Sequence, residues 1–521
     1  MNSATLLPAT VTASIAPQAT PSKRPLVGLL GIFIAAMMAG LNIRVGALAL
    51  ADIRGAMGLG FDDGSWLTTA YSAGELIAMP FSAWFAITLS VRRLELWMLG
   101  ICALLAAILP LIHNLDLLLA LRFVQGIASG TTIPLLMMAA LKFLPPPIRL
   151  YGLALYAMTA TFAPNLSIWL TGHWTDGLND WRWVYWQIIP LALIAGCLIA
   201  WGLPKESIQQ HRFPQANWFG MACGVPALGL IAIALDQGVR LDWFHSPLII
   251  SSLVAGLALL AIYLVSEWYH PSPFIKLQIL GRRNLGLGCT LFVSLLVVLM
   301  SSSLLPASYL TPLQQYRPLQ MASIGLIVAL PQLILGPLVA LLLYQKWVDA
   351  RVVFALGLLL IALACLCGAQ LTSEWNRDQF VLAQTLQALG QPMAVVSMLF
   401  LITSVVQPSE GPYVSGTINT LRAFGSLIGA AAVTQLITVR SRFHGEMLLD
   451  QTALVSNISA VAPEPAQLMG IISQQALVLS IADAYRVLGL LALLLIPLVL
   501  RLTCIPPPVT QVAPSPSSSH G

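Results

Sequence analysis

The chain has 521 residues, of which 58% are hydrophobic and only 9% charged, with a formal net charge of +5 and a mean hydropathy of +0.84. A soluble domain carries about 25% charged residues, so the excess apolar surface must face lipid, and a soluble globular protein is excluded. The basic residues are scattered through short segments between apolar runs and are not gathered on one stripe, which argues against a nucleic-acid partner.

The first 25 residues, rich in Ala, Thr, Ser and Pro, read as a disordered tail, and residues 504–521 resemble them. The apolar run that follows Lys23 and Arg24 is about 25 residues long, against 7 to 15 for a cleaved signal segment. A membrane span needs about 20 apolar residues. Runs of that kind fall near 26–50, 66–90, 95–113, 115–144, 149–172, 183–203, 216–236, 247–267, 285–311, 319–345, 350–370, 378–406, 412–438 and 482–503, fourteen in all. The expected fold class is therefore all-α and polytopic. The connecting segments that share a side with the termini hold roughly twice as many Lys and Arg as the others, which predicts cytoplasmic termini. One longer polar stretch, 439–481, reads as an outer loop: either a connector or a surface for a partner.

The first predicted span contains AGLNIRVGALAL (39–50), with Asn42 and Arg44 inside an apolar run. An arginine there costs roughly 2.5 to 3.5 kcal/mol on insertion scales, so a partner is expected. The second span, GSWLTTAYSAGELIAMP (64–80), holds Glu75, the one carboxylate that reads as well inside a span. Counting about 1.5 Å per residue places Arg44 and Glu75 at similar depth on consecutive antiparallel helices. Two readings compete. In one, the pair is a structural ion pair; in the other, Glu75 is the proton-coupling acid, ionised near Arg44 and neutral when the two separate, because burial favours the neutral carboxyl and a nearby cation the charged one.

Helix 4 carries RFVQGIASGTTIPL, which puts Arg122 and Gln125 on one helical face and sets Gly126 and Gly130 four apart, a spacing that lets another helix approach closely. Helix 5 holds Pro164 in ALYAMTATFAP, and helix 13 holds Arg422, Gly425 and Gly429 in NTLRAFGSLIG. Three intramembrane arginines against one acid lean toward an anionic or zwitterionic substrate. The seven cysteines show no metal-ligand spacing, and there is no P-loop, HExxH or GxSxG, so no metal, cofactor or enzymatic activity is expected.

The R-x-x-Q-G-x-x-x-G stretch of helix 4 resembles the helix-4 motif of major facilitator antiporters, especially the fourteen-helix EmrB/QacA-like branch. GSWLTTAYSAGELIAMP, ALYAMTATFAP, DWRWVYWQIIP, LDQGVRLDWF, PFIKLQILGRRNL and NTLRAFGSLIG resemble further stretches of that branch in the same order, over about residues 30–503. The resemblance implies a major facilitator fold: a six-helix bundle at 26–203, two inserted helices at 216–267, and a second bundle at 285–503. It implies a cavity between the bundles and alternating access by rocking, with Asn42, Arg122, Gln125 and Arg422 as its intramembrane polar groups. It further implies proton-coupled export of drugs or other amphiphiles from the bacterial inner membrane, with a periplasmic membrane-fusion adaptor and an outer-membrane channel as partners. A dedicated exporter of one metabolite, such as a siderophore, toxin or organic acid, and a non-transporting sensor are the alternatives. The chain departs from the branch at three places. Asn42 stands where the helix-1 acid is usual; SAWFAITLSVRR keeps Arg92 and Arg93 of the inner gating motif but not its acid or glycines; and the helix-5 glycines are gone while Pro164 remains.

Overall fold

The computed structural model describes residues 25–456 and 465–506. Both tails read as disordered fall largely outside the described residues. Every regular element among the described residues is helical. Fourteen helices are long and apolar enough to cross a membrane. They are α1 (Pro25–Leu48), α2 (Phe61–Leu89), α3 (Val91–Ile108), α4 (Leu115–Phe143), α5 (Pro146–Gly172), α6 (Ile188–Gly202), α7 (Trp218–Gln237), α8 (Pro247–Tyr269), α9 (Arg283–Leu313), α10 (Pro318–Leu343), α11 (Ala350–Gly368), α12 (Val381–Thr403), α13 (Gly411–Ser456) and α14 (Pro465–Leu500). With an even number of crossings, the start of α1 and the end of α14 share one face of the molecule, called here the terminal face.

Helices α1–α6 pack among themselves, as do α9–α14, and α7 and α8 pair with each other. The two groups meet along two seams, α2 against α13 and α5 against α10, and α7 lies against both α2 and α13. Close approach depends on missing side chains. A Cβ added to Gly126 would strike the Tyr71 carbonyl, one on Gly74 the Phe123 carbonyl, and one on Gly130 would stand 2.7 Å from Cα of Glu75. The small residues of α4 thus seat its backbone directly on α2, and Glu75 is fixed in register by that contact. Gly425 and Gly429 let α13 approach α9 in the same way, their added Cβ atoms meeting Leu296 at 2.8 Å and Val297 at 3.2 Å.

The reading of 439–481 as a loop is corrected. α13 runs unbroken to Ser456 and α14 starts at Pro465. At about 1.5 Å per residue the 46 residues of α13 reach about 69 Å, more than twice a hydrocarbon core of roughly 30 Å. The pair therefore extends well beyond the far face as a helical hairpin. Its polarity removes the hydropathy signal, but the stretch HGEMLLDQTALVS, with one glycine and no proline, keeps its helix propensity. Asp483 clamps the base of the hairpin, accepting from Arg440 Nε and His444 Nε2, each at 2.7 Å, and from Arg486 Nη1 at 2.7 Å.

At the terminal face Arg282 grips Glu410 with both nitrogens, at 2.7 and 2.8 Å, and caps the Val405 carbonyl at 2.9 Å. This ties the start of α9 to the start of α13. The guanidinium holds the Glu410 carboxyl below the usual glutamate range.

Two outcomes follow from this packing. Gly126→Leu should lower the thermal midpoint of the protein in lipid nanodiscs by the cost of overpacking, about 1–3 kcal/mol, whereas Gly100→Leu, at an open position on α3, should leave it unchanged. Glu410 is depressed in the folded state, so its contribution is present above the unfolded value of about 4.3 and is lost as pH falls through the lower folded value. The gap in thermal midpoint between wild type and Glu410→Gln should hold from neutral pH down to about 5 and close below about 4.

Candidate functional site

Along α2, Thr68, Ser72, Glu75 and Met79 recur at intervals of four and three residues, so they form one face of the helix. That face lines a cavity of about 340 Å³ between the two bundles. Opposite stand Arg44 and Gly40 of α1, Thr159, Pro164 and Asn165 of α5, and Asp236 of α7. The remaining wall comes mostly from α9 and α13, where the apolar Leu296, Leu299, Met300 and Leu427 stand beside Arg422 with Ser302, Ser303 and Ser426 among them, and Gln391 of α12 completes it.

Four charged side chains thus share one enclosure. Glu75 is 9% exposed and its carboxylate makes no hydrogen bond to any described residue. Arg44 likewise makes none, and its nitrogens lie beyond 4.0 Å of every described carboxylate oxygen. The two face each other across the cavity without touching, and Arg422 is the other cation whose field reaches Glu75. Arg422 itself is anchored. Its Nη1 donates to Thr159 Oγ1 at 2.7 Å and its Nη2 to the Thr159 carbonyl at 3.0 Å, so a residue of α13 is tied to α5 across the bundle seam. The next turns of α13 toward the terminal face continue the seam. Tyr156 donates to Asn419 Oδ1 at 2.9 Å, and Ser415 donates to the Pro134 carbonyl at 2.6 Å. These contacts form a floor beneath the cavity. From it the lining rises through Ala430, Thr68, Leu50 and Asp236 toward the far face. There Arg317, at the start of α10, reaches Asp176 at 2.6 Å and Asp52 at 2.9 Å and holds the α5–α10 edge.

Several residues picked out from the sequence as cavity groups lie elsewhere. Asn42, Arg122 and Gln125 do not line the cavity. Asn42 donates to Tyr71 OH at 3.2 Å, Tyr71 donates to Ser129 at 2.6 Å, and Arg122 lies between the rings of Tyr71 and Tyr185, 4.7 and 5.2 Å from their centroids, while donating to Gln125 at 2.7 Å. The aromatic faces and the amide hold the guanidinium inside the N-terminal bundle, while its Nε, Gln125 Nε2 and Asn42 Oδ1 have no hydrogen-bond partner among the described residues. Pro164 is part of the lining. Arg92 donates to the Leu203 carbonyl at 3.2 Å, capping the end of α6, and Arg93 is exposed beside it. Both stay within the N-terminal bundle.

Glu75 is not the only acid inside a span. Glu95 is fully buried with neither oxygen partnered among the described residues, and Glu267 accepts from Asn217 at 2.8 Å and from the Ile275 amide at 2.9 Å. Asp236, in the last turn of α7, lines the cavity and accepts a hydrogen bond from Thr69 Oγ1. All three sit within a turn or two of a helix end, where an acidic residue is indistinguishable in sequence from a loop charge. The sequence tally of three arginines against one acid becomes two against two at the cavity wall, so the wall no longer favours an anion. No group of His, Cys, Asp and Glu able to hold a metal ion occurs among the described residues.

The family model described as Major Facilitator Superfamily matches residues 32–278 and 287–450. The multidrug export protein EmrB of Escherichia coli K12 is 24% identical over 465 residues, covering 86% of this chain and 88% of the relative. The fatty acid resistance protein FarB of Neisseria gonorrhoeae is 23% identical over 486 residues, covering 90% of this chain and 94% of the relative. Among solved structures the proton:xylose symporter XylE superposes with a TM-score of 0.57 at 12% identity, covering 93% of this chain and 97% of that one.

The seam beneath the cavity yields an expected outcome. Arg422→Leu removes two hydrogen bonds that join the bundles. With spin labels at the exposed positions 93 and 346 in a cysteine-free background, the population at long separation should rise about tenfold. An unchanged distance distribution would remove Arg422 from the seam.

Proposed function

The chain belongs to the major facilitator superfamily, in its EmrB-like drug-efflux branch, and on that footing we propose that it exports amphiphilic small molecules in exchange for protons. It is a multi-pass protein of the inner membrane. The proposed orientation puts the terminal face in the cytoplasm, as the excess of Lys and Arg on that side supports. The cavity, floored on the terminal side, is then the outward-facing form.

The observation that carries the reading is Glu75. It is a buried carboxylate with no hydrogen-bond partner among the described residues, set between guanidinium groups that come one from each bundle. Rocking of the bundles must move Arg44 and Arg422 relative to each other, because they sit on α1 and α13. The field at Glu75 therefore differs between the two states. Where both cations are near, the ionised carboxylate is favoured; where one withdraws, the proton is favoured. An exchange cycle needs such a group, able to take a proton on one side and surrender it on the other. Leu296, Leu299, Met300 and Leu427 supply an apolar wall for the body of the substrate, and the balanced charges accept a zwitterionic or weakly polar head.

The α13–α14 hairpin supports a partner on the outer side. It projects beyond the membrane and carries exposed apolar side chains such as Phe443, Met447, Met469 and Ile471. A periplasmic adaptor leading to an outer-membrane channel is the partner proposed for it.

The test is transport into everted membrane vesicles under an imposed proton gradient, with a panel of fluorescent lipophilic cations, zwitterions and carboxylates. Glu75→Gln should lower proton-driven uptake by about two orders of magnitude while substrate counterflow without a gradient survives. Full proton-driven transport by this variant would remove Glu75 from the role, and a wild type that moves none of the panel would remove export itself.

A further inference from the structure

The inserted helix α7 contributes a charged group to the cavity, and nothing in the Glu75 exchange described above uses it. Asp236 faces the enclosure near its far-face end and is held by Thr69 Oγ1 of α2. The adjoining Gln237 reaches the same hydroxyl and accepts from Arg240 Nε at 2.6 Å, while Arg240 is also paired to Asp62. The charged groups on the elements around Asp236 are either paired elsewhere or set deeper in the cavity. From α2 these are Asp62, taken by Arg240, and Glu75 deeper in. From α1 and α13 they are Arg44 and Arg422, which face Glu75. In the turn after α7, Asp242 is paired with His245. α8 presents no charged side chain at this level, its Glu267 lying at the opposite end of that helix. No cation pairs with the Asp236 carboxylate among the described residues.

Between Asp236 and Glu75 the cavity wall is hydroxylated. Thr69 is six residues from Glu75, about 9 Å along the α2 axis; on the cavity face Thr68 stands beside Thr69 and Ser72 occupies the turn between it and Glu75. A volume of about 340 Å³ admits on the order of ten waters at about 30 Å³ each, enough to connect the two carboxylates along that hydroxyl stripe.

We propose that Asp236 is the proton-loading residue of the exchanger, which takes a proton from the far side and passes it through cavity water along Thr68 and Ser72 to Glu75. This rests on the assignment of proton coupling to Glu75. The step is a proton transfer only: the carboxylate of Asp236 gains a proton from far-side water and returns to its anion as Glu75 becomes neutral. The inserted pair α7–α8 is then a working part of the transport path and more than a spacer between bundles.

The test needs no knowledge of the substrate. Full-length protein in lipid nanodiscs is taken through a rapid downward pH jump, and the infrared band of protonated carboxyl groups is followed in time. Glu75→Gln identifies the component that belongs to Glu75 by its loss. In Asp236→Asn that component should keep its amplitude and rise about 100-fold more slowly, and Asp236→Glu should restore the rate. Ser72→Ala, which interrupts the stripe without altering either acid, should slow it in the same direction. An unchanged rate in folded Asp236→Asn, or a rate that Asp236→Glu fails to recover, overturns the relay. A spectrum that Glu75→Gln leaves intact overturns the coupling assignment instead, so the two failures are distinguishable.

Discussion

A carboxylate enclosed by protein within a lipid bilayer, with no hydrogen-bond donor among the described residues, is the constraint around which the rest of this molecule is arranged. Removing an ion from water costs several kcal/mol unless opposing charge and hydrogen bonds repay it. At Glu75 the opposing charge acts across a gap, from Arg422 on one bundle and Arg44 on the other, against the effect of burial. A group stabilised by contact would be locked in one protonation state. A group stabilised across a gap responds to every change in that gap. The gap exists because each partner is prevented from closing it. Glu75 is fixed by the seating of α4 on α2 at Gly130, and Arg422 is held back by its two bonds to Thr159.

This explains why close packing and charge are placed together. Gly74, Gly126 and Gly130 seat the segment of α2 that carries Glu75 directly on the backbone of α4, so the acid is placed by the packing of one bundle while Arg422 is placed by the other. Arg122 belongs to the same rigid unit. Enclosed by Tyr71 and Tyr185 and bonded to Gln125, it joins α2, α4 and the segment before α6 without reaching the cavity. The polar groups of the N-terminal bundle are thus sorted into a set bonded within it, around Arg122, and a pair, Arg44 and Glu75, that faces the other bundle.

Much of the fold was legible because hydropathy over twenty residues is a strong signal, and all fourteen spans lie near the stretches read from it. The hairpin was not, since beyond the bilayer a helix needs no apolar run and HGEMLLDQTALVS resembles a loop to any hydropathy argument. At the site, the charge inside an apolar run was readable at Arg44, Glu75 and Arg422, all of which line the cavity. Arg122 was readable as buried but not as enclosed by aromatic rings, because Tyr71 and Tyr185 come from distant segments. Asp236 was invisible for a different reason. LDQGVRLDW reads as the polar exit of a span, and only the lean of α7 against α2 and α13 brings its last turn back to the enclosure.

That placement bears on how this chain manages without an acid on helix 1. Asn42, at the usual acidic position, donates to Tyr71 and does not line the cavity, so a carboxyl restored there would enter the cluster around Tyr71 and Arg122 and not the cavity. In the proposed exchange the proton site lies on α2, where the chain approaches from the far face and the neighbouring helix on the open side is α7. An acid on α2 is deeper along the path from the far side than the cavity mouth, and the hydroxyls of Thr68 and Ser72 bridge the interval that an acid on helix 1 would not have faced. Displacing the carboxyl from one helix to the next therefore makes a second polar group at the mouth physically useful, and the inserted helix is the only one of the cavity-lining helices whose last turn supplies an acid there.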